Sequence, residues 1–380
     1  MNDLLNSMTT FLVMDVLDKA KEMQAQGIDV IHLEVGEPDF DVPACVSSAV
    51  AQAYEEHRTH YTASLGDIEL RKEIAALYKR EYNVDVDPDQ ICVTCGSSPA
   101  ILFLMIMLCN PGSEIILSNP GYACYKNFVL GAHGTPVYVP LYAEEGFQYK
   151  VADIKAKITD KTAAIFINSP MNPTGALLSE TFMKDVASLG LPVISDEIYH
   201  GLVYEGKAHS ILEYTQNAFV LNGFSKRFAM TGLRLGYLIA PKEYIPAIIK
   251  LQQNFMICAG STAQRAGIAA LRDQSDYVLR MQETYNERRI YMLKRLREMG
   301  FGIPKDPQGA FYIFADASKY THNSLEFAFD VLEKAHVGVT PGTDFGSRGE
   351  GYIRFSYANS IENIKTGLDR LEEYLKNLPR

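Results

Sequence analysis

This 380-residue chain has no run of four lysines or arginines, and its 36 basic residues are outnumbered by 46 acidic ones, for a net charge of −10. Without clustered basic residues to neutralise phosphates, a nucleic-acid footprint is not expected; the acidic balance favours solubility and says nothing of the fold. A secretory signal is lacking as well: "MNDLLNSMTTFLVMDVLDKAKEM" has no basic stretch leading into an apolar one. Nor is there an apolar run of bilayer length. The longest, "AILFLMIMLC" (100–109), ends in "NPG" and reads as a buried helix, so no membrane partner is expected. The six cysteines are scattered. The pair in "CVTC" (92–95) sits in a strand-like stretch that would point the two thiols to opposite faces, which suits neither zinc nor a redox dithiol. No metal site is expected, and a reduced, cytoplasmic protein is.

What is present is a rhythm. Short apolar runs recur at "ICVTC" (91–95), "EIILS" (114–118), "PVYVP" (136–140), "AAIFIN" (163–168), "PVISD" (192–196), "AFVLN" (218–222) and "GYLIA" (236–240), each followed by a turn. They are near-continuous rather than alternating, as in strands buried on both faces. Between them lie amphipathic stretches such as "IELRKEIAALYKREY" (68–82), where Leu70, Ile74 and Leu77 share a helical stripe. The fold class is α/β, a mostly parallel seven-stranded central sheet flanked by helices. From about residue 275 the pattern changes to a long amphipathic helix, then "GAFYIFAD", a further helix, "VGVTPG" and "GYIRFSYAN", which predicts a smaller α+β domain. The expected division is an N-terminal segment (1–35) packing with the small domain, a large domain (36–275) and a small C-terminal domain (276–380). "ERR" at 287–289 reads as a solvated helix face.

Ligands of open α/β sheets bind beyond the carboxyl ends of the strands, and three such ends here carry polar clusters. "AAIFIN" leads to Asn172 in "SPMNPTG", "PVIS" to Asp196 and Tyr199, and "AFVLNGFS" to Lys226. Taken singly, Asn172 is equally a turn former, whereas Asp196 reads first as a helix cap and Lys226 first as a solvated cation; their joint placement speaks for a site. A fourth strand leads into "GSSPAILF", where Ser98 reads as an N-cap ahead of Pro99. That helix start, with the hydroxyls of Ser97 and Ser98, is either a plain cap or an anion cradle, and Arg234 is a candidate cation for a phosphate. No G-x-G-x-x-G follows the first strand and no G-x-x-x-x-G-K-[ST] occurs, which argues against dinucleotides and nucleoside triphosphates. A lysine with a single-phosphate cradle suits pyridoxal 5'-phosphate.

"NSPMNPTG", "SDEIYHGLVYEG", "NGFSKRFAMTGLRLGY" and "GYIRFSYA" resemble signature stretches of class I/II pyridoxal-phosphate-dependent aminotransferases, the aspartate aminotransferase superfamily of fold type I. "LEVGEPDFDVP" (33–43) and "THYTASLGDIELRKEIA" (59–75) look like two more, so the resemblance spans nearly the whole chain. It implies transfer of an amino group between an L-amino acid and a 2-oxo acid by a ping-pong mechanism. Lys226 would carry the cofactor as a Schiff base and then act as a general base, and Asp196 would pair with the pyridine nitrogen. Tyr199 and Asn172 would bond the phenolic oxygen, Tyr122 would stack on the ring, and Ser97, Ser98 and Arg234 would hold the phosphate. Arg354 would grip the substrate α-carboxylate through two parallel hydrogen bonds, and the backbone of Gly36 would approach the substrate. Tyr61 matches a tyrosine that reaches the phosphate of a second subunit, which implies a homodimer with shared sites.

The chain departs from the family pattern at Gly223, where relatives often have serine; whether Ser225 replaces that phosphate contact is open. His200, beside Tyr199, reads as structural. In some relatives the N-terminal segment rearranges around different substrates, which here would make Phe11–Val16 a lid. The competing reading on the same fold is a pyridoxal-phosphate-dependent carbon–sulfur lyase or another eliminating enzyme. A ligand-sensing DNA-binding regulator is disfavoured by the net charge, and because the family-like stretches begin near residue 30, leaving no room for a helix-turn-helix. The amino donor stays open: an aspartate-type enzyme needs a second cation for the distal carboxylate, and no motif identifies one, while Tyr122, Tyr125, Phe224 and Phe228 allow an aromatic or aliphatic side chain just as well.

Overall fold

The computed structural model describes residues 4–378; residues 1–3 and 379–380, the outer ends of the first and last expected segments, lie outside the described residues. Among the described residues twelve strands form three sheets. In chain order they are β1 Ile31–His32, β2 Ile91–Thr94, β3 Glu114–Asn119, β4 Thr135–Pro140, β5 Thr162–Asn168, β6 Val193–Asp196, β7 Ala218–Gly223, β8 Gly236–Ile239, β9 Tyr312–Asp316, β10 Val337–Gly338, β11 Thr340–Pro341 and β12 Tyr352–Ser356.

The seven expected apolar runs are the seven strands of the central sheet, in the order β2-β8-β7-β6-β5-β3-β4. Pairing is parallel except around β8, which runs against both β2 and β7. Every residue of β2, β6, β7 and β8 is buried, because helices cover both faces. This double burial is why the runs read as continuously apolar. Beneath the sheet lies helix Ser97–Leu108, with Ala100, Ile101, Phe103, Leu104 and Met105 buried. Its start corrects the sequence expectation. The cap position is Gly96, at φ +88° and with no side-chain cap bond, and Ser98 lies inside the first turn. Only a residue tolerant of positive φ makes the sharp turn out of β2, so the glycine sets where the helix begins.

A second core gathers around the antiparallel sheet β11-β12-β9 and the helices Tyr277–Met299, Ser324–Ala335 and Ile361–Lys376. It takes in Ile31 and Leu33 from the N-terminal part of the chain, and β1 pairs with β10. The N-terminal helix Leu12–Ala25 buries Val16, Ala20 and Met23 against Leu332 and Phe329.

The "ERR" stretch is not a solvated face. Arg289 is buried and bonded to Glu205 (2.5 Å) and to the Pro307 carbonyl (2.6 Å), and Arg288 reaches Asp39 (2.8 Å). Met281, Tyr285, Arg289, Met292 and Leu296 form one stripe of the helix, so the arginine follows its neighbours inward and meets its partners there. Among the described residues no helix is long and apolar enough to cross a membrane.

Candidate active site

The parallel strands all end at the same sheet edge, and a cavity of about 380 Å³ opens there, a size suited to a small molecule. It is lined by Gly36, Ser97, Ser98, Tyr122, Asn172, Asp196, Tyr199, Lys226, Arg234 and Arg354, all expected from the sequence to share a site. Tyr61 is not among them; it is 79% exposed, outside the cavity. Ser225 lines the wall and Gly223 does not. A Cβ at 223 would sit 3.0 Å from the Leu235 carbonyl oxygen and 3.1 Å from Gly236 Cα, so a serine there would be crowded between β7 and β8.

Asn168, the last residue of β5, organises the floor. Its Nδ2 donates to the Asp196 carbonyl (2.9 Å) and its Oδ1 accepts from the Asn172 backbone N–H (2.8 Å). One side chain thus fixes both the end of β6 and the turn carrying Asn172. Asp196 is buried; its Oδ2 accepts from the Tyr125 hydroxyl (2.7 Å) and its Oδ1 from the Ile198 N–H (3.1 Å). Burial raises its pKa to about 6, with the Tyr125 and Ile198 bonds pulling the other way. Lys226 follows β7 and donates from Nζ to the Gly36 carbonyl (2.5 Å). Desolvation lowers its pKa to about 8, so this amine, even in the field of the Asp196 carboxylate, gives up its proton more readily than an ordinary lysine.

At the opposite wall Arg354, on β12, is held by three partners. Nη1 donates to Asn172 Oδ1 (2.9 Å), Nη2 donates to the Glu34 carbonyl (2.6 Å) and to Thr340 Oγ1 (3.1 Å), and Nε has no partner. The guanidinium lies 4.3 Å from the Tyr312 ring centroid, and the Tyr312 hydroxyl is 2.8 Å from that of Tyr199. The third end of the cavity is the start of helix Ser97–Leu108, with Arg234 against it. A Cβ on Gly96 would come 2.6 Å from Arg234 Nη2, and one on Gly236 would come 2.6 Å from the Gly96 carbonyl carbon. Two glycines therefore bring guanidinium, helix N–H groups and serine hydroxyls together, which is the chemistry of a phosphate cradle. His200 takes no part: it is buried beside Tyr82 (2.8 Å), and desolvation lowers its pKa to about 3.

The donor set fits pyridoxal phosphate: a cradle for a dianion, a carboxylate for a ring nitrogen and an amine line one cavity. Sequence reasoning missed Tyr125 as the partner of Asp196, although it is one helical turn from Tyr122. It also missed Tyr312, whose role depends on a contact across the sheet, and Asn168.

Residues 28–371 match the family model described as "Aminotransferase class I and II". The (5-formylfuran-3-yl)methyl phosphate transaminase of Methanocaldococcus jannaschii is 41% identical, the match covering 96% of this chain and 97% of that one. The aspartate aminotransferase of Pyrococcus abyssi is 38% identical, with 92% of each chain covered. A solved protein of Methanococcus jannaschii, described as similar in its active site to kynurenine aminotransferases, superposes with a TM-score of 0.91 at 40% identity, over 99% of this chain and 100% of that one.

Proposed function

The chain belongs to the aminotransferase class I and II family, and on that premise we propose how its own residues divide the work. The activity is pyridoxal-phosphate-dependent transfer of an amino group between an amino acid and a 2-oxo acid. The lyase reading is not favoured, since the two relatives are named for transamination and the solved neighbour is described as similar in its active site to kynurenine aminotransferases. One observation carries the assignment of roles: a desolvated amine, Lys226, lines one cavity with a buried carboxylate, Asp196, and a partnered guanidinium, Arg354, at the carboxyl edge of a parallel sheet.

Bound there, pyridoxal phosphate supplies an aldehyde carbon that takes up the amino group and a ring that receives the electron pair left at the substrate Cα. Lys226 anchors the cofactor and, once released, moves the proton away from Cα; its lowered pKa makes it a base near pH 8 rather than a fixed cation. Asp196 would pair with the ring nitrogen and keep it protonated. Asn172, with its Oδ1 taken by Arg354, has Nδ2 left to donate to the phenolic oxygen, with Tyr199 beside it. Tyr122 covers the ring face. Ser97, Ser98 and Arg234 hold the phosphate, and Ser225 adds a hydroxyl nearby. Arg354 takes the α-carboxylate in a water-poor pocket, where a two-pronged bond orients the substrate, and Gly36 lets the backbone come close.

The unit is proposed to be a homodimer in which Tyr61 reaches the phosphate site of the second copy. Tyr61 is 79% exposed on this chain, which leaves it available to a second copy. The chain is read as an N-terminal segment (1–35), a large domain (36–275) and a small domain (276–380), in keeping with the separate core around β9 and β12. All six cysteines are free, which supports a cytoplasmic setting.

The test is absorbance spectroscopy of the cofactor-loaded protein and of Lys226→Ala. The wild type should show a visible band that an amino acid bleaches with release of its 2-oxo acid, and the variant should lack both. Ammonia released together with the 2-oxo acid would point to elimination instead. A variant that matches wild type would remove Lys226 from the mechanism.

A further inference from the structure

The names of the relatives disagree about substrate: one acts on a furan aldehyde phosphate, another on aspartate. The cavity itself is more informative. Resting on the aminotransferase reading, we propose that the side-chain subsite takes an uncharged, apolar side chain, aliphatic or aromatic, and rejects dicarboxylic amino acids.

The first argument is a charge inventory. Among the described residues lining the cavity the cations are Lys226, Arg234 and Arg354. Lys226 is the reacting amine. Arg234 stands at the Gly96 turn, with Nη1 bonded to the Thr231 carbonyl (3.1 Å). Arg354 is buried and already shared among Asn172, Glu34 and Thr340. Within one chain no cation lining the cavity remains for a second substrate carboxylate. The charged group left over has the wrong sign: Glu37 lines the mouth and accepts a hydrogen bond from Thr231 Oγ1. A distal carboxylate would be stripped of water beside a like charge.

The second argument is the wall. Phe11, Val13, Met14 and Leu17 line the cavity from the N-terminal part of the chain. Val13 and Leu17 are four residues apart on helix Leu12–Ala25, so they share a face, and Phe11 meets Tyr122 edge-on at 5.8 Å. The helix start has no cap of its own. It is pinned from across the fold by Asp344, whose carboxylate accepts from the N–H groups of Leu12 (3.0 Å) and Val13 (3.3 Å). Asp344 is therefore a positioning residue for an apolar surface, with an anion satisfying the helix N-terminus.

The experiment is a single-turnover half-reaction of the cofactor-loaded enzyme with leucine, methionine, phenylalanine, alanine, aspartate and glutamate in turn. Band loss gives the rate, and the 2-oxo acid is identified by mass. The best apolar donor is expected to exceed aspartate and glutamate by about a hundredfold in kcat/KM. Met14→Arg, which puts a cation on the wall at an exposed helix position, should raise aspartate relative to leucine by about tenfold. Asp344→Ala should cost leucine and phenylalanine about tenfold more than alanine. Preference of the wild type for aspartate or glutamate would overturn the proposal and assign the missing cation to a second copy of the chain. Equal losses on all donors in Asp344→Ala would overturn the role of the wall. If no amino acid reacts, the aminotransferase reading fails, an outcome distinct from a wrong order of donors.

Discussion

The hydroxyl of Tyr125 lies 2.7 Å from Asp196 Oδ2, and both side chains are buried. It is the one side-chain hydrogen bond given to that carboxylate among the described residues, and it opposes the burial that pushes the Asp196 pKa up to about 6. Tyr125→Phe removes it without opening a cavity. The carboxyl should then hold its proton to higher pH, leaving less carboxylate at neutrality. We expect the acid limb of the kcat/KM profile to move to higher pH and kcat at pH 7 to fall by about tenfold. A lower rate with an unmoved acid limb would mean that Tyr125 only fills space.

Gly36 and Tyr312 form a second pair. A Cβ on Gly36 would lie 2.1 Å from the Tyr312 hydroxyl oxygen. That ring is wedged against the Arg354 guanidinium and cannot retreat freely. Gly36→Ala should cost about a hundredfold in kcat/KM by displacing the groups around Arg354 and Lys226. Adding Tyr312→Phe removes the clashing oxygen and leaves 3.1 Å to the nearest ring carbon, so the double variant should recover part of the loss. A double variant worse than the product of the singles would refute the steric account.

A third expectation concerns pH and stability. Glu197 is fully buried among Ser195 (3.1 Å), Ser210 (3.0 Å), the Ile211 N–H (3.1 Å) and Tyr78 (3.4 Å), and burial raises its pKa to about 8. Between the ordinary carboxyl pKa and 8 the folded chain keeps a proton that the unfolded chain releases. This group therefore makes stability fall as pH rises through that window. His200 acts at the other end: its pKa is lowered to about 3, so stability falls as pH drops below the ordinary histidine value. Glu197→Gln should flatten the alkaline side, with a gain over wild type at pH 8.5 that exceeds the gain at pH 5 by roughly 2–4 kcal/mol. Thermal melts across pH check it, and parallel profiles for the two proteins would show that Glu197 is ionised throughout.

The strands were legible because double burial leaves an unbroken apolar run, a property each segment carries by itself. Lys226, Asp196 and Asn172 were legible because each follows such a run directly, and Arg354 through the resemblance of "GYIRFSYA". What was not legible depends on contacts between distant segments. Nothing near Asp196 announces Tyr125, which arrives at the start of the helix Tyr125–Gly131 after β3, and nothing near Gly36 announces Tyr312. Arg289 was misread for the same reason, although counting by fours from Met281 and Tyr285 places it on the buried stripe. The misplaced cap at Ser98 was a local error of weight, since Gly96 can make the turn with no capping side chain.

The cavity is assembled from positions far apart in the chain, and this sets an order in time. The floor, cradle and amine fall between Ser97 and Arg234, whereas Arg354 comes later in the chain, on β12. On the ribosome, the groups proposed to hold the cofactor are therefore made well before the guanidinium proposed to hold the substrate. A growing chain can thus hold its own share of the cofactor berth before the guanidinium that orients an amino acid has been made, so the reactive pair of groups precedes its substrate clamp in time.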